Sequence, residues 1–166
     1  MKPLVFAMPG NEAFANRLAS TLGADLGVLE TRAFPDDETY VRLASDVEGH
    51  SIILVSTLDR PNAKTLPLLF AAHAARDLGA SRVGLVAPYL GYMRQDKRFR
   101  SGEAITSNAY GQLLSSRVDW IVTVDPHLHR RASMSEIYSI PVAVGHAAPK
   151  LSEWIREHVP TALAVG

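Results

Sequence analysis

The 166-residue chain contains no cysteine. Disulfides, zinc–thiolate centres and thiol nucleophiles are therefore excluded. Neither sign of charge is in excess, because 17 Lys and Arg balance 17 Asp and Glu. A neutral molecule has no overall field to steer it onto nucleic acid or an anionic membrane surface, so any anion binding must be local. A long N-terminal apolar run is missing too. "MKPLVFAMPGNEAF" is broken at Pro9-Gly10. It is too short and interrupted for a signal peptide or membrane anchor, and a cytoplasmic protein is expected. Three further signatures are absent: GxxxxGK followed by Ser or Thr, GxGxxG behind a strand, and a GxSxG elbow. If phosphate is bound, side-chain cations and helix N-termini must hold it.

What remains is a one-domain length with an ordinary globular composition, 47% hydrophobic and 20% charged. Apolar runs at 3–8, 51–57, 82–87, 120–124 and 142–145 read as strands, and 51–57 as one buried on both faces. Residues 11–23 predict a helix with Phe14, Leu18 and Leu22 on one face, Asn11 as cap and Gly23 as stop. Residues 62–80 predict another, with Leu66, Leu69, Phe70 and Ala74 on one face and Gly79 at its end. Pro67 fits there only in a first turn capped by Asn62 or Thr65. A third helix is predicted over 106–116, and a fourth over 146–158 with Leu151, Trp154 and Ile155 facing inward. "LGVLET" (26–31) and "TYVRLAS" (39–45) alternate as strands do. "TALAVG" (161–166) reads as one more strand with no helix after it, so the chain is expected to be cut from a longer protein. Strands alternating with helices predict an α/β fold, a mostly parallel sheet flanked by helices on both faces. Ligands of such sheets bind beyond the carboxyl ends of the strands.

Three segments at such positions carry chemistry. "PYLGYMRQDKRFRSGEAIT", from Pro88, puts Arg94, Lys97, Arg98 and Arg100 in one loop. There Arg offers a planar fork for phosphate oxygens and Lys a point charge. Gln95 could read a base or sugar, and Tyr89 and Tyr92 could stack or pack the loop. On composition alone, a solvated basic loop reads equally well. "VTVDPHLHRR" gathers Asp125, His127 and His129 beside Arg130 and Arg131. A carboxylate with imidazoles could hold a divalent metal directly or through its water. On spacing alone, surface histidines that bind nothing are the simpler reading. "RAFPDDETY" surrounds a turn with Phe34, Asp36, Asp37 and Glu38. Phe34 could stack on a flat base and the carboxylates could accept from an exocyclic amine. On chemistry alone, a plain turn with Phe34 in the core is preferred.

Together, "FPDDE", "PYLGYMRQDKR", "GEAIT" and "VDPHLH", in this order and spacing, resemble the N-terminal half of a ribose-phosphate pyrophosphokinase. The resemblance covers essentially the whole chain from Gly10-Asn11 onward. That family makes phosphoribosyl pyrophosphate from ATP and ribose 5-phosphate with magnesium. The resemblance implies two phosphoribosyltransferase-like domains, of which residues 1–166 are the first. The second would carry the acidic ribose-phosphate loop, a further metal ligand and a mobile basic loop, so this chain alone is expected to be inactive. The resemblance implies that Phe34, Asp36 and Glu38 form an adenine-recognition loop lent to a neighbouring subunit, hence a homo-oligomer. It implies that Arg94 and Gln95 contact ATP, with Arg94 on the phosphates and Asp96 in support. His127 would contact the magnesium–ATP unit, and Asp125 would hold His127 or order metal-bound water.

The chain also departs from the family pattern. Asp37 stands where the family has glycine, Pro126 and His129 are atypical, and "SMSEIYSIP" replaces a glycine–aromatic run. An alternative expectation is therefore a noncatalytic regulatory homologue that assembles with synthetase subunits.

Overall fold

The computed structural model describes residues 1–159 and 161. Six strands form one all-parallel sheet. They are β1 (Leu4–Ala7), β2 (Asp25–Leu26), β5 (Ser51–Val55), β6 (Arg82–Ala87), β7 (Trp120–Val124) and β8 (Val142–Gly145). Their order is β2-β1-β5-β6-β7-β8. Between β2 and β5 the chain makes an antiparallel hairpin of β3 (Leu29–Ala33) and β4 (Thr39–Leu43). The helices are α1 (Glu12–Leu22), α2 (Pro61–Asp77), α3 (Thr106–Ser115) and α4 (Ala147–His158). Among the described residues, no helix is long and apolar enough to cross a membrane. The strand expected at 161–166 lies, apart from Thr161, outside the described residues.

The expected mostly parallel sheet is present, and its central strands are buried on both faces. Phe6, Ile52, Leu54, Val83, Leu85 and Ile121 join α2 and α3 in one core. Val5, Ile53, Val55 and Val86 point the other way, onto Ala15 and Ala19 of α1. The two-residue alternation of a strand thus feeds two cores at once.

Three helix faces differ from the sequence reading. In α1 it is Ala15 and Ala19 that are buried, while Phe14 and Leu22 are exposed. Small residues let this helix lie close to the sheet. In α2 the buried set is Thr65, Leu68, Leu69, Ala71, Ala72 and Ala75. Leu66 and Phe70 are turned outward, beside the hairpin. In α4 no residue is buried, and Leu151 and Trp154 are 60% and 55% exposed.

The caps differ as well. Pro61 occupies the first turn of α2 and Pro67 lies inside the helix, with Arg60 at the cap position and no side-chain cap. Thr65 Oγ1 instead donates to the Pro61 carbonyl at 2.5 Å. Asn11 precedes α1 without capping it. Its amide donates to the Met8 and Pro9 carbonyls, and its Oδ1 accepts the Thr57 N–H at 2.8 Å, tying the ends of β1 and β5 together. The single strand expected over 26–31 breaks at Gly27, where a Cβ would come within 2.2 Å of the Phe6 ring. Only glycine allows that approach. The chain therefore leaves the sheet after β2 and re-forms as β3.

Asp119 clamps the start of β6 against α2. Its carboxylate accepts from Arg76 Nη2 at 2.8 Å and from the Val83 N–H at 2.7 Å. Burial pushes this carboxyl up, but the Arg76 and Val83 donors outweigh it and hold it below the usual carboxylate range. A lowered folded-state value means the stabilisation is present above the unfolded value of about 3.9 and fades as pH falls through the folded one. Asp119→Ala is expected to cost about 1–3 kcal/mol at neutral pH. In urea unfolding, the gap to the parent protein should close toward acid pH. A gap independent of pH would refute the clamp.

Candidate functional site

The loop after β6 turns sharply at Tyr92, whose φ of 58° is unusual for an aromatic residue. Three contacts hold it there. The Tyr92 hydroxyl donates to Asn62 Oδ1, its ring packs at 4.8 Å on Tyr110, and the Tyr110 hydroxyl meets Thr65 Oγ1 at 2.9 Å. Burial pushes the Tyr110 phenol up, so it stays a neutral hydrogen-bonding group. With this turn anchored on α2 and α3, the next residues leave in a set direction. Met93 is buried and Arg94 is exposed. Among the described residues Arg94 makes no ion pair. Gln95 Oε1 accepts from Thr106 Oγ1 at 3.2 Å, which leaves its amide nitrogen available. Further along, Glu103 Oε2 accepts the Phe99 and Arg100 N–H groups at 2.7 and 3.0 Å, closing the basic loop on itself.

The neighbouring strand β7 ends at Val124, and Asp125 just beyond it takes φ 41°. Its carboxylate accepts the Ala147 N–H, at the start of α4, at 3.0 Å and lies 3.1 Å from His146 Nδ1. The Ala147 N–H first, then His146, hold this carboxyl below its ordinary range. Beyond it, the rings of His127 and His129 stack with their centroids 5.8 Å apart.

These two loops share a cavity of about 310 Å³, lined among others by Tyr89, Tyr92, Arg94, Gln95, Asp125 and His127. Six of the residues singled out in the sequence, from two segments about 30 positions apart, thus meet in one hollow. The third segment is elsewhere. Phe34, Asp36 and Glu38 sit at the tip of the β3–β4 hairpin and do not line this cavity. Phe34 is half-exposed rather than in the core, with the Arg32 guanidinium 4.6 Å from its ring. Asp36 and Glu38 line a separate groove with Leu66 and Phe70 of α2. Asp37 takes φ 65° in this turn, and its N–H donates to the Phe34 carbonyl at 3.0 Å. An aspartate therefore occupies the left-handed position that favours glycine. Asp96 is buried, and it points away from the cavity toward Arg130.

Sequence reasoning missed Thr106 and His146. Their partners lie 11 and 21 residues away, so no local pattern marks them. Among the described residues no group of three or more His, Asp or Glu side chains could hold a metal ion. With Asp125 already committed to Ala147 and His146, the donors do not form a protein cage.

A family model described as the N-terminal domain of ribose phosphate pyrophosphokinase matches residues 3–117. The chain belongs to the ribose-phosphate pyrophosphokinase family. It is 35% identical over 153 residues to a ribose-phosphate pyrophosphokinase of Methanothermobacter thermautotrophicus, covering 92% of this chain and 53% of that protein. The Saccharolobus solfataricus member is 41% identical over 112 residues, covering 66% and 38%. The crystal structure of phosphoribosylpyrophosphate synthetase from Mycobacterium smegmatis aligns with a TM-score of 0.83 at 28% identity, over 95% of this chain and 53% of that one. The chain thus spans about half the length of most of the relatives compared. The fold is the one that synthetase structure has.

Proposed function

We propose that this chain is the ATP-binding half of a ribose-phosphate diphosphokinase. The whole protein would transfer the diphosphoryl group of ATP to ribose 5-phosphate, giving phosphoribosyl pyrophosphate and AMP. The observation that supports this reading is the single cavity shared by Arg94, Gln95 and His127 at the ends of β6 and β7. The sugar's anomeric oxygen attacks the β-phosphorus, the bond to the α-phosphate oxygen breaks, and AMP leaves. Such transfer needs positioning and charge neutralisation more than covalent help from the protein. Arg94, unpaired among the described residues, faces the cavity and would fork onto phosphate oxygens. The Gln95 amide would donate to the nucleotide while Thr106 orients it. His127 would donate a ring N–H to the magnesium-bound phosphates, with magnesium entering as part of the Mg-ATP substrate. Asp125, fixed by Ala147 and His146, would order water around that unit.

Phe34, Asp36 and Glu38 lie outside the cavity, which suits an adenine loop that serves a neighbouring copy in a homo-oligomer. Light scattering that finds a strict monomer removes that role.

The reaction test is an assay of AMP release with the full-length protein. We expect release that requires both ribose 5-phosphate and Mg-ATP, and saturable Mg-ATP binding by calorimetry. Absence of binding overturns the reading. Binding without AMP release would instead favour a noncatalytic subunit, a role in keeping with Asp37 and the altered segment after His129. Residues 1–166 by themselves are expected to release no AMP.

A further inference from the structure

The two arginines that follow His129 have no part in the site as described, yet they join its two loops. Asp96, next to Gln95, has a side chain only 3% exposed. Arg130 Nη1 reaches its two carboxylate oxygens at 3.1 and 3.4 Å. Arg131 Nη2 donates to the Asp96 carbonyl at 3.2 Å and to Asn108 Oδ1 of α3 at 2.6 Å. The Arg131 guanidinium also lies 3.7 Å from Glu136, whose other oxygen accepts the Ala132 N–H at 2.8 Å. The Phe99 ring sits 5.4 Å from the Arg130 guanidinium. A buried carboxylate is costly unless a charge meets it, so Asp96 holds Arg130 as firmly as Arg130 holds Asp96.

We propose that Arg130 is a positioning residue: through the buried Asp96 carboxylate it sets the spacing between the Arg94–Gln95 loop and His127. Arg130 lies three residues past His127, and Asp96 lies two past Arg94. The ion pair is therefore a strap between the loops that follow β6 and β7. Arg131 fastens the same strap to α3. The inference rests on the reading of that cavity as the Mg-ATP site. Groups that act on one polyphosphate must keep their mutual distance, and a misplacement of about 1 Å can cost on the order of 100-fold in rate. Sequence inspection shows two basic residues there. Only the tertiary structure shows that the Arg130 side chain, 39% exposed, reaches a buried carboxylate and that Arg131 reaches the same residue's backbone carbonyl.

The test is a double-mutant cycle on the full-length protein, read as kcat for AMP release and as Mg-ATP affinity. Arg130→Ala and Asp96→Asn are each expected to lower kcat by roughly 10- to 100-fold. The double variant should lose no more than the worse single one, because both break the same strap. Arg130→Lys, which keeps the charge but not the fork, should recover most of the loss. Two results overturn the proposal. One is a fall in melting temperature with kcat and affinity within twofold of the parent, which leaves Arg130 a purely structural role. The other is losses that multiply in the double variant, as they would if Arg130 touched phosphate itself.

If the parent protein neither binds Mg-ATP nor releases AMP, the reading of the site fails, and the strap is judged by amide hydrogen exchange. Faster exchange in both 94–98 and 125–129 of the Arg130→Ala protein supports it, and unchanged protection in either loop refutes it.

Discussion

Replacing Arg94 with alanine is expected to weaken Mg-ATP binding by the full-length protein roughly 10- to 150-fold, from a loss of about 1.5–3 kcal/mol per charge-assisted hydrogen bond. Arg94 is exposed, lines the cavity and has no ion-pair partner among the described residues. Its removal should therefore leave the fold intact, and the whole effect should fall on the ligand. Arg94→Lys should lie between, because it keeps a charge but loses the planar fork that meets two phosphate oxygens. Calorimetric titration separates these outcomes. The dependence on salt should shrink in Arg94→Ala, since one cation fewer faces the polyphosphate. An unchanged affinity would remove Arg94 from the site and take with it the reading of the loop after β6 as a phosphate cradle.

The second large effect concerns stability. Leu68→Ala is expected to cost about 2–5 kcal/mol, the usual loss when a fully buried leucine is truncated in a close-packed core. Leu66→Ala, two residues away in the same helix, should stay within about 0.5 kcal/mol. Leu68 is 0% exposed and Leu66 is 53% exposed. Denaturant unfolding of the two variants makes the comparison. For a domain of this size, each kcal/mol is about 2–4 °C in melting temperature. Equal losses, or a larger loss at Leu66, would mean that α2 packs with the face the sequence pattern suggests. The contrast is sharp because the apolar spacing in this helix supports two stripes. Leu66, Leu69, Phe70 and Ala74 make one, and Leu68, Ala71, Ala72 and Ala75 make another. The sheet takes the smaller residues, which let the helix approach. Leu66 and Phe70 are left beside the hairpin, while Leu69 is buried with the second stripe.

The same division runs through the molecule. The strands at β1, β5, β6, β7 and β8 were legible because a run of apolar, often β-branched residues is a local property of the chain. The parallel arrangement followed from their alternation with helices, and the position of Arg94, Gln95 and His127 just past strand ends followed from that arrangement. The motifs themselves carried the family, since their residue types and spacing need no coordinates to be seen. The inward faces of α1, α2 and α4 were not legible, because an amphipathic pattern says that a face exists and leaves its partner open. The break at Gly27 was hidden because its cause is the Phe6 ring, brought alongside only by sheet pairing.

Asp96 shows the limit most clearly. By sequence it continues a ligand-binding motif, and in the structure its carboxylate turns inward to Arg130, 34 residues away. The amino-acid order therefore determined the α/β layering, the family and the cationic loop, all of which depend on neighbours along the chain. The tertiary structure alone decided which carboxylates are spent on holding the site, Asp96 on Arg130 and Asp125 on Ala147 and His146, because those pairings join loops that meet only after the strands have assembled.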